Sequence, residues 1–223
     1  MKPQVQLAEA RAPDGARLTL HAHDGHFVVR VDGQALMHSA LAESEERLGE
    51  LVAVAAEGKK GARVLVGGLG LGFTLRKALA GLRRDAKVEV SELLPEVVEW
   101  NRTFLRDLNG SSLTDARVTV RIGDVGAVLG RAKWDVIALD VDNGPAAMVS
   151  GGNSSLYDRR GVERLFAALR PGGRLLVWSA GPDRGFERRL ASAGFTGVRA
   201  DAPRAGVRAR SRGYVIFVAE RVA

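Results

Sequence analysis

The sequence contains no cysteine in its 223 residues. That excludes disulfides, a thiolate nucleophile and any zinc site built on sulfur, and it suits a reducing compartment. Long apolar runs are also missing. None approaches the ~18 residues of a membrane-spanning helix, and Met1 to Gly15 has no apolar stretch of the kind a secretory signal carries. A cytoplasmic protein without a membrane partner is therefore expected. Aromatic residues make up only 5% of the chain, which bears on its one charge asymmetry. The formal net charge is +7, and Gly161 to Ala223 alone hold twelve Arg against five Asp and Glu. The first 160 residues therefore balance. The arginines are scattered and few aromatics interleave them to stack on bases, so the expectation is a solvated surface and no nucleic-acid partner.

What the chain does have is alternation. Arg17-Leu18-Thr19-Leu20-His21 and Phe27-Val28-Val29-Arg30-Val31 flank an Asp24-Gly25 turn and predict a β-hairpin. Leu41 to Ala56 has helical spacing, with Leu48, Leu51, Val52 and Ala55 on one face. From Arg63 onward short apolar strands alternate with helical stretches. The strands are Val64 to Val66, Lys87 to Ser91, Arg117 to Ile122, Trp134 to Leu139, Arg174 to Trp178 and Tyr214 to Val218. The helices are Phe73 to Leu82, Pro95 to about Leu108, Gly161 to Leu169 and Phe186 to Ala193. This order predicts an α/β fold: a doubly wound, mostly parallel Rossmann-like sheet with an N-terminal β-hairpin extension. Residues 1–57 form the hairpin and helix, and 58–223 the nucleotide-binding domain.

In such sheets ligands bind beyond the carboxyl ends of the strands, and four features fall there. Gly68, Gly70 and Gly72, in Gly67-Gly68-Leu69-Gly70-Leu71-Gly72, follow the first strand; they make either a nucleotide cradle or a tight structural turn. The spacing is not that of dinucleotide binders. Glu92, twenty residues beyond Gly72, is placed to accept both hydroxyls of a ribose, or is a surface carboxylate. Asp124 is placed to accept an adenine amino group, to cap the next helix, or both. Asp140 and Asp142, in Leu139-Asp140-Val141-Asp142-Asn143-Gly144-Pro145, end the most apolar strand. They suit an amine that must be held and relieved of a proton; the alternative is a turn held by Asp and Asn side chains. His21, His23 and His26 are read as an exposed strand face in preference to a metal site, and no metal is expected.

Together these segments, with Pro171-Gly172-Gly173, resemble the class I S-adenosylmethionine-dependent fold, and within it the spermidine synthases. The resemblance implies that Gly68, Gly70, Leu71, Gly72, Glu92, Asp124 and Asp140 line the donor site, with Asp140 and Asp142 catalytic. The donor would be S-adenosylmethionine or its decarboxylated form, the partner a small-molecule acceptor, with a homodimer allowed. Three departures stand out. Leu71 occupies the glycine loop where spermidine synthases have an Asp, the Asp140 loop is shortened, and Glu45-Glu46 replace a Tyr-His pair. With Leu71 removing the charge that would repel a donor carboxylate, the expectation is methyl transfer, with aminopropyl transfer or a non-catalytic nucleotide-binding homologue as alternatives.

Overall fold

Two turns with Asp-Gly at their centres shape the N-terminal region. Asp24 and Gly25 have φ of 48° and 79°, and Asp32 and Gly33 have 48° and 83°. Paired positive φ values match the right-handed twist of antiparallel strands, so each turn joins neighbours directly. In the computed structural model, which describes residues 4–141, 145, 154–202 and 213–222, they connect β2 (Arg17–His23), β3 (His26–Val31) and β4 (Gln34–His38). A further strand, β1 (Val5–Arg11), completes a four-stranded antiparallel sheet in the order β1-β2-β3-β4. The expected hairpin is thus the centre of a larger sheet. β1 escapes a periodicity reading because its register with β2 shifts between Gln6 and Ala8, which breaks the period of two.

Leu18, Leu20 and Val29 point into the core from one face of this sheet. Helix α1 (Glu43–Ala55) follows, then β5 (Arg63–Gly67), α2 (Phe73–Gly81), β6 (Lys87–Glu92), α3 (Pro95–Arg102), β7 (Val118–Ile122), α4 (Val125–Val128) and β8 (Trp134–Leu139). After these come α5 (Ser154–Tyr157), α6 (Arg159–Ala168), β9 (Leu169–Ser179), α7 (Arg184–Ser192), β10 (Thr196–Asp201) and β11 (Val215–Arg221). The last seven strands form one sheet in the order β10-β11-β9-β8-β5-β6-β7. β5 to β9 pair in parallel, while β11 runs antiparallel to both β9 and β10. β8 is buried along its whole length, as its uninterrupted apolar run requires of a central parallel strand.

Three elements depart from the sequence reading. α3 ends at Arg102, short of Leu108, because Thr103 leaves helical geometry at φ −111° and ψ −90°. Pro171-Gly172-Gly173 lies inside β9 and does not precede it: Leu169 pairs with Trp134 and Arg174 with Val136, so the three residues are accommodated in an irregularity of the ladder. β10 has a similar irregularity against β11 and carries too little apolar alternation to read as a strand.

Two hydrophobic clusters sandwich the sheet. One joins the N-terminal sheet, α1, α2 and α3 to the inner face of β5, β6 and β8; it crosses residue 57. The other packs α6 and α7 against the opposite face. α1 meets α2 at Gly49, where a Cβ would lie 2.6 Å from the Thr74 carbonyl oxygen and 2.7 Å from Lys77 Cβ. Among the described residues no helix is long and apolar enough to cross a membrane.

Candidate active site

The site is assembled where the parallel strands end, and main-chain bonds hold the tips together. Asp140 N–H donates to the Gly67 carbonyl, Gly68 N–H to that of Ser91 and Gly123 N–H to that of Glu92, each at 2.8 Å. The ends of β8, β5, β6 and β7 are thereby stitched into one rim.

The glycine loop lies on that rim. Gly68, Gly70 and Gly72 all have positive φ, at 87°, 51° and 86°. A Cβ on Gly68 would come within 2.2 Å of the Asp140 carbonyl oxygen, and one on Gly72 within 2.8 Å of Asn101 Oδ1. Gly72 occupies the N-cap of α2 without a side-chain cap, leaving the first helical N–H groups for an incoming group. Beneath the loop, Asn101 Nδ2 donates to the Gly70 carbonyl at 2.8 Å, and Asn109 Nδ2 donates to Asn101 Oδ1 at 2.9 Å. Both asparagines are 1% exposed. The sequence reading missed them; neither belongs to a contiguous motif.

Glu92 closes the loop from the β6 side. Its carboxylate accepts from Leu69 N–H at 2.9 Å and Leu94 N–H at 3.0 Å. Burial pushes its pKa up, and these main-chain donors hold it back. Asp124 is exposed and stands at the N-cap of α4, where its side chain makes no capping bond. Ile122 and Leu93, 52% and 44% exposed, present apolar surface at the ends of β7 and β6. A loop of positive-φ glycines, uncapped helix N–H groups and carboxylates on successive strand ends suit a nucleoside-bearing donor.

The other half of the rim is acidic. Asp140 retains some exposed surface, but its carboxylate is set among packed groups and accepts from Thr74 Oγ1 at 2.8 Å. Burial, reinforced by the negative charge of Glu45, pushes its pKa up to about 7, against the Thr74 hydrogen bond. Glu45, from the first turn of α1, is itself raised by burial. Its neighbour Glu46 turns away to pair with Arg76 at 2.5 Å. Trp178 and Tyr214 share this inner face of the sheet; Trp178 Nε1 is buried with no hydrogen-bond partner among the described residues. Burial raises the Tyr214 pKa, as do Glu43, Asp201 and Glu45.

Of the expected site residues, the rim brings together Gly68, Gly70, Gly72, Glu92 and Asp140, with Asp124 at its β7 end. Leu71 is 4% exposed and packs in the core. Asp142, with Asn143 and Gly144, lies outside the described residues. The sequence reading missed Thr74 and noted Glu45 only as a departure. His21, His23, His26 and His38 share the outer face of the N-terminal sheet, but no group of three potential metal ligands occurs among the described residues. His38 Nδ1 accepts from Ala40 N–H at 3.0 Å, which places the ring proton on Nε2 and removes that nitrogen as a ligand.

This geometry is that of the class I S-adenosylmethionine-dependent fold. The chain has the spermidine synthase-like form of it. Spermidine synthase from Thermotoga maritima superimposes with a TM-score of 0.74 at 20% identity, over 97% of this chain and 72% of that one. Polyamine aminopropyltransferase of Mycobacterium tuberculosis is 33% identical over 132 residues, 57% of this chain and 24% of the relative. An uncharacterized protein of Methanocaldococcus jannaschii is 30% identical over 166 residues, 70% of this chain and 53% of the relative. The chain thus spans about a quarter to a half of the length of these curated relatives. No protein-family model matches it.

These findings overturn the expectation of methyl transfer. Spermidine synthases are among the matched structures and polyamine aminopropyltransferases among the matched relatives. The expectation rested on Leu71 facing the donor, whereas its side chain is buried in the core and carries no information about the donor's charged end.

Proposed function

We propose that the chain transfers an aminopropyl group from decarboxylated S-adenosylmethionine to an amine of the polyamine class. The observation that carries this reading is the apposition of Asp140 and Glu45 at the carboxyl end of β8. The curated polyamine aminopropyltransferase relatives support it. When bound, the donor supplies an aminopropyl carbon attached to a sulfonium, which leaves as a neutral thioether.

The chain's own groups do the rest. The glycine loop and Glu92 hold the nucleoside end, with Asp124 on the adenine side. An amine reaches the site as an ammonium, with an ordinary pKa near 10, and the carboxylates of Asp140 and Glu45 attract it. It becomes a nucleophile only after losing a proton. A carboxylate with its pKa near 7 is matched to that task, because a general base works best when poised close to the working pH. Asp140 therefore takes the amine proton, and the rim's fixed geometry supplies the positioning that makes an in-line displacement fast.

The test is to incubate the chain with decarboxylated S-adenosylmethionine and a panel of diamines and longer polyamines, then assay by mass spectrometry for methylthioadenosine and the aminopropylated amine. Both products should appear together in equal amounts. Donor binding by calorimetry with no product from any amine would instead make the chain a nucleotide-binding homologue.

A further inference from the structure

Thr74 is buried on α2, yet its hydroxyl has two acceptors and only one proton to give. Oγ1 lies 2.8 Å from Asp140 Oδ2 and 3.3 Å from the Glu45 main-chain carbonyl. A hydroxyl is one donor and two lone pairs, so it cannot serve both oxygens as donor at once. Its best use depends on whether Asp140 holds a proton. When Asp140 is ionised, the hydroxyl donates to the carboxylate, the shorter contact. When Asp140 is protonated, its O–H donates to Thr74 Oγ1, and the Thr74 proton turns to the Glu45 carbonyl. No proton is gained or lost at Thr74 in the exchange.

We propose that Thr74 is a positioning residue whose hydroxyl rotates between the Asp140 carboxylate and the Glu45 carbonyl, so coupling the protonation of Asp140 to the first turn of α1. Gly49 makes the arrangement possible by letting α1 approach α2 at Thr74. Glu45 is one helical turn earlier and so lies over the same spot. The role of the rotor in deprotonating an amine rests on the aminopropyl reading; the rotor itself does not.

Other groups near Asp140 act on the same equilibrium. From α1, Glu45 faces it and opposes ionisation, with Glu46 next to Glu45. Just before β11, Tyr214 neighbours Glu43, Glu45, Asp201 and Arg47. The glycine loop carries no titratable side chain. Among the described residues Thr74 is the group that favours the charged form of Asp140. Removing its hydroxyl therefore shifts Asp140 toward the protonated form.

The experiment follows thermal stability against pH, from about pH 5 to pH 9, for the full chain without substrate. The proteins are wild type, Asp140→Asn, Thr74→Val, Thr74→Ala and Thr74→Ser. Wild type should lose stability as pH rises and level off at a break near pH 7, the midpoint of Asp140 ionisation in the folded chain, and Asp140→Asn should remove the break, which assigns it. Thr74→Val should move the midpoint up by about one pH unit, the scale for losing one hydrogen bond to a carboxylate, and Thr74→Ser should restore it. If the valine does not fold, the alanine variant carries the same expectation. A midpoint unchanged in the variants lacking the hydroxyl, or one that serine fails to restore, overturns the proposal. Because no turnover is measured, absence of aminopropyl products would refute the functional reading and leave this test standing. If products do form, the acidic limb of the kcat/KM profile should move with the same midpoint.

Discussion

The two halves of the rim are built by different means. The half proposed to hold the donor, from the glycine loop to Asp124, is made largely of main chain: positive-φ glycines, uncapped N–H groups at α2 and hydrogen bonds between adjacent strand tips. Its side chains come from short segments at successive strand ends. The half proposed to hold the acceptor is made of side chains collected from α1, α2, the end of β8, β9 and the residue before β11, scattered between positions 45 and 214 of the chain. Backbone conformation fixes the first half and tertiary packing the second. Damage to the first should show in binding, and damage to the second in turnover and titration.

The largest effect should fall where the halves meet. Gly68→Ala would place a Cβ 2.2 Å from the Asp140 carbonyl oxygen on a backbone at φ 87°. Strain and overpacking together should cost about 2–6 kcal/mol of stability, read by urea unfolding; a change below about 1 kcal/mol would mean the junction gives way more easily than its contacts imply. Asp140→Asn should separate the halves cleanly. Donor affinity should stay as it is, while turnover falls by about 100-fold, near 2.7 kcal/mol of barrier. If instead affinity falls and turnover per bound complex does not, Asp140 belongs to the binding half.

Glu92→Ala is the converse experiment. It removes the carboxylate that ties Leu69 to Leu94 and should weaken binding of S-adenosylhomocysteine by about 1.5–3 kcal/mol, measured by calorimetry. Unaltered binding would place the ribose elsewhere. The last effect is a slope, gentle at each pH. Asp140 ionises near pH 7 in the folded chain, against an ordinary 3.8. Between those values the folded chain holds a proton that the unfolded chain has released. Stability from this group is therefore full below about pH 4 and is lost as pH rises through 7, at no more than about 1.4 kcal/mol per pH unit for one proton. Equilibrium unfolding at pH 5, 6, 7 and 8 should show that decline in wild type and a flatter course in Asp140→Asn; a rise with pH would reverse the sign assigned to burial.

The same contrast explains what could be read from the sequence. The parallel sheet, β8 to the residue, and the segments carrying Gly68, Gly70, Gly72, Glu92 and Asp124 are written in contiguous stretches, because strand ends and the turns after them are local. Asp140 was legible for the same reason. Thr74 was not, since a threonine in the first turn of a helix signals nothing until α1 is laid across it. Glu45 read as a missing Tyr-His pair because its partner lies 95 positions away in the chain. Leu71 misled for a related reason: its position in a motif suggested a line of sight to the donor, and only packing reveals that the side chain turns inward. Asn101 and Asn109 support the glycine loop through hydrogen bonds that no spacing rule anticipates.

Gly49 bears on how such a chain should be engineered. A designer seeking extra stability would pick it early, since glycine inside a helix is worse than alanine by up to about 1 kcal/mol, and α1 offers no outward sign of a reason to keep it. The added methyl group would meet the Thr74 carbonyl at 2.6 Å and Ala78 N at 2.9 Å, forcing α1 off α2 and Glu45 off Thr74. A change chosen to firm the scaffold would thus open the site. The local flaw marks the point where one helix must lie unusually close to another, and a stability screen blind to the acceptor half would optimise it away.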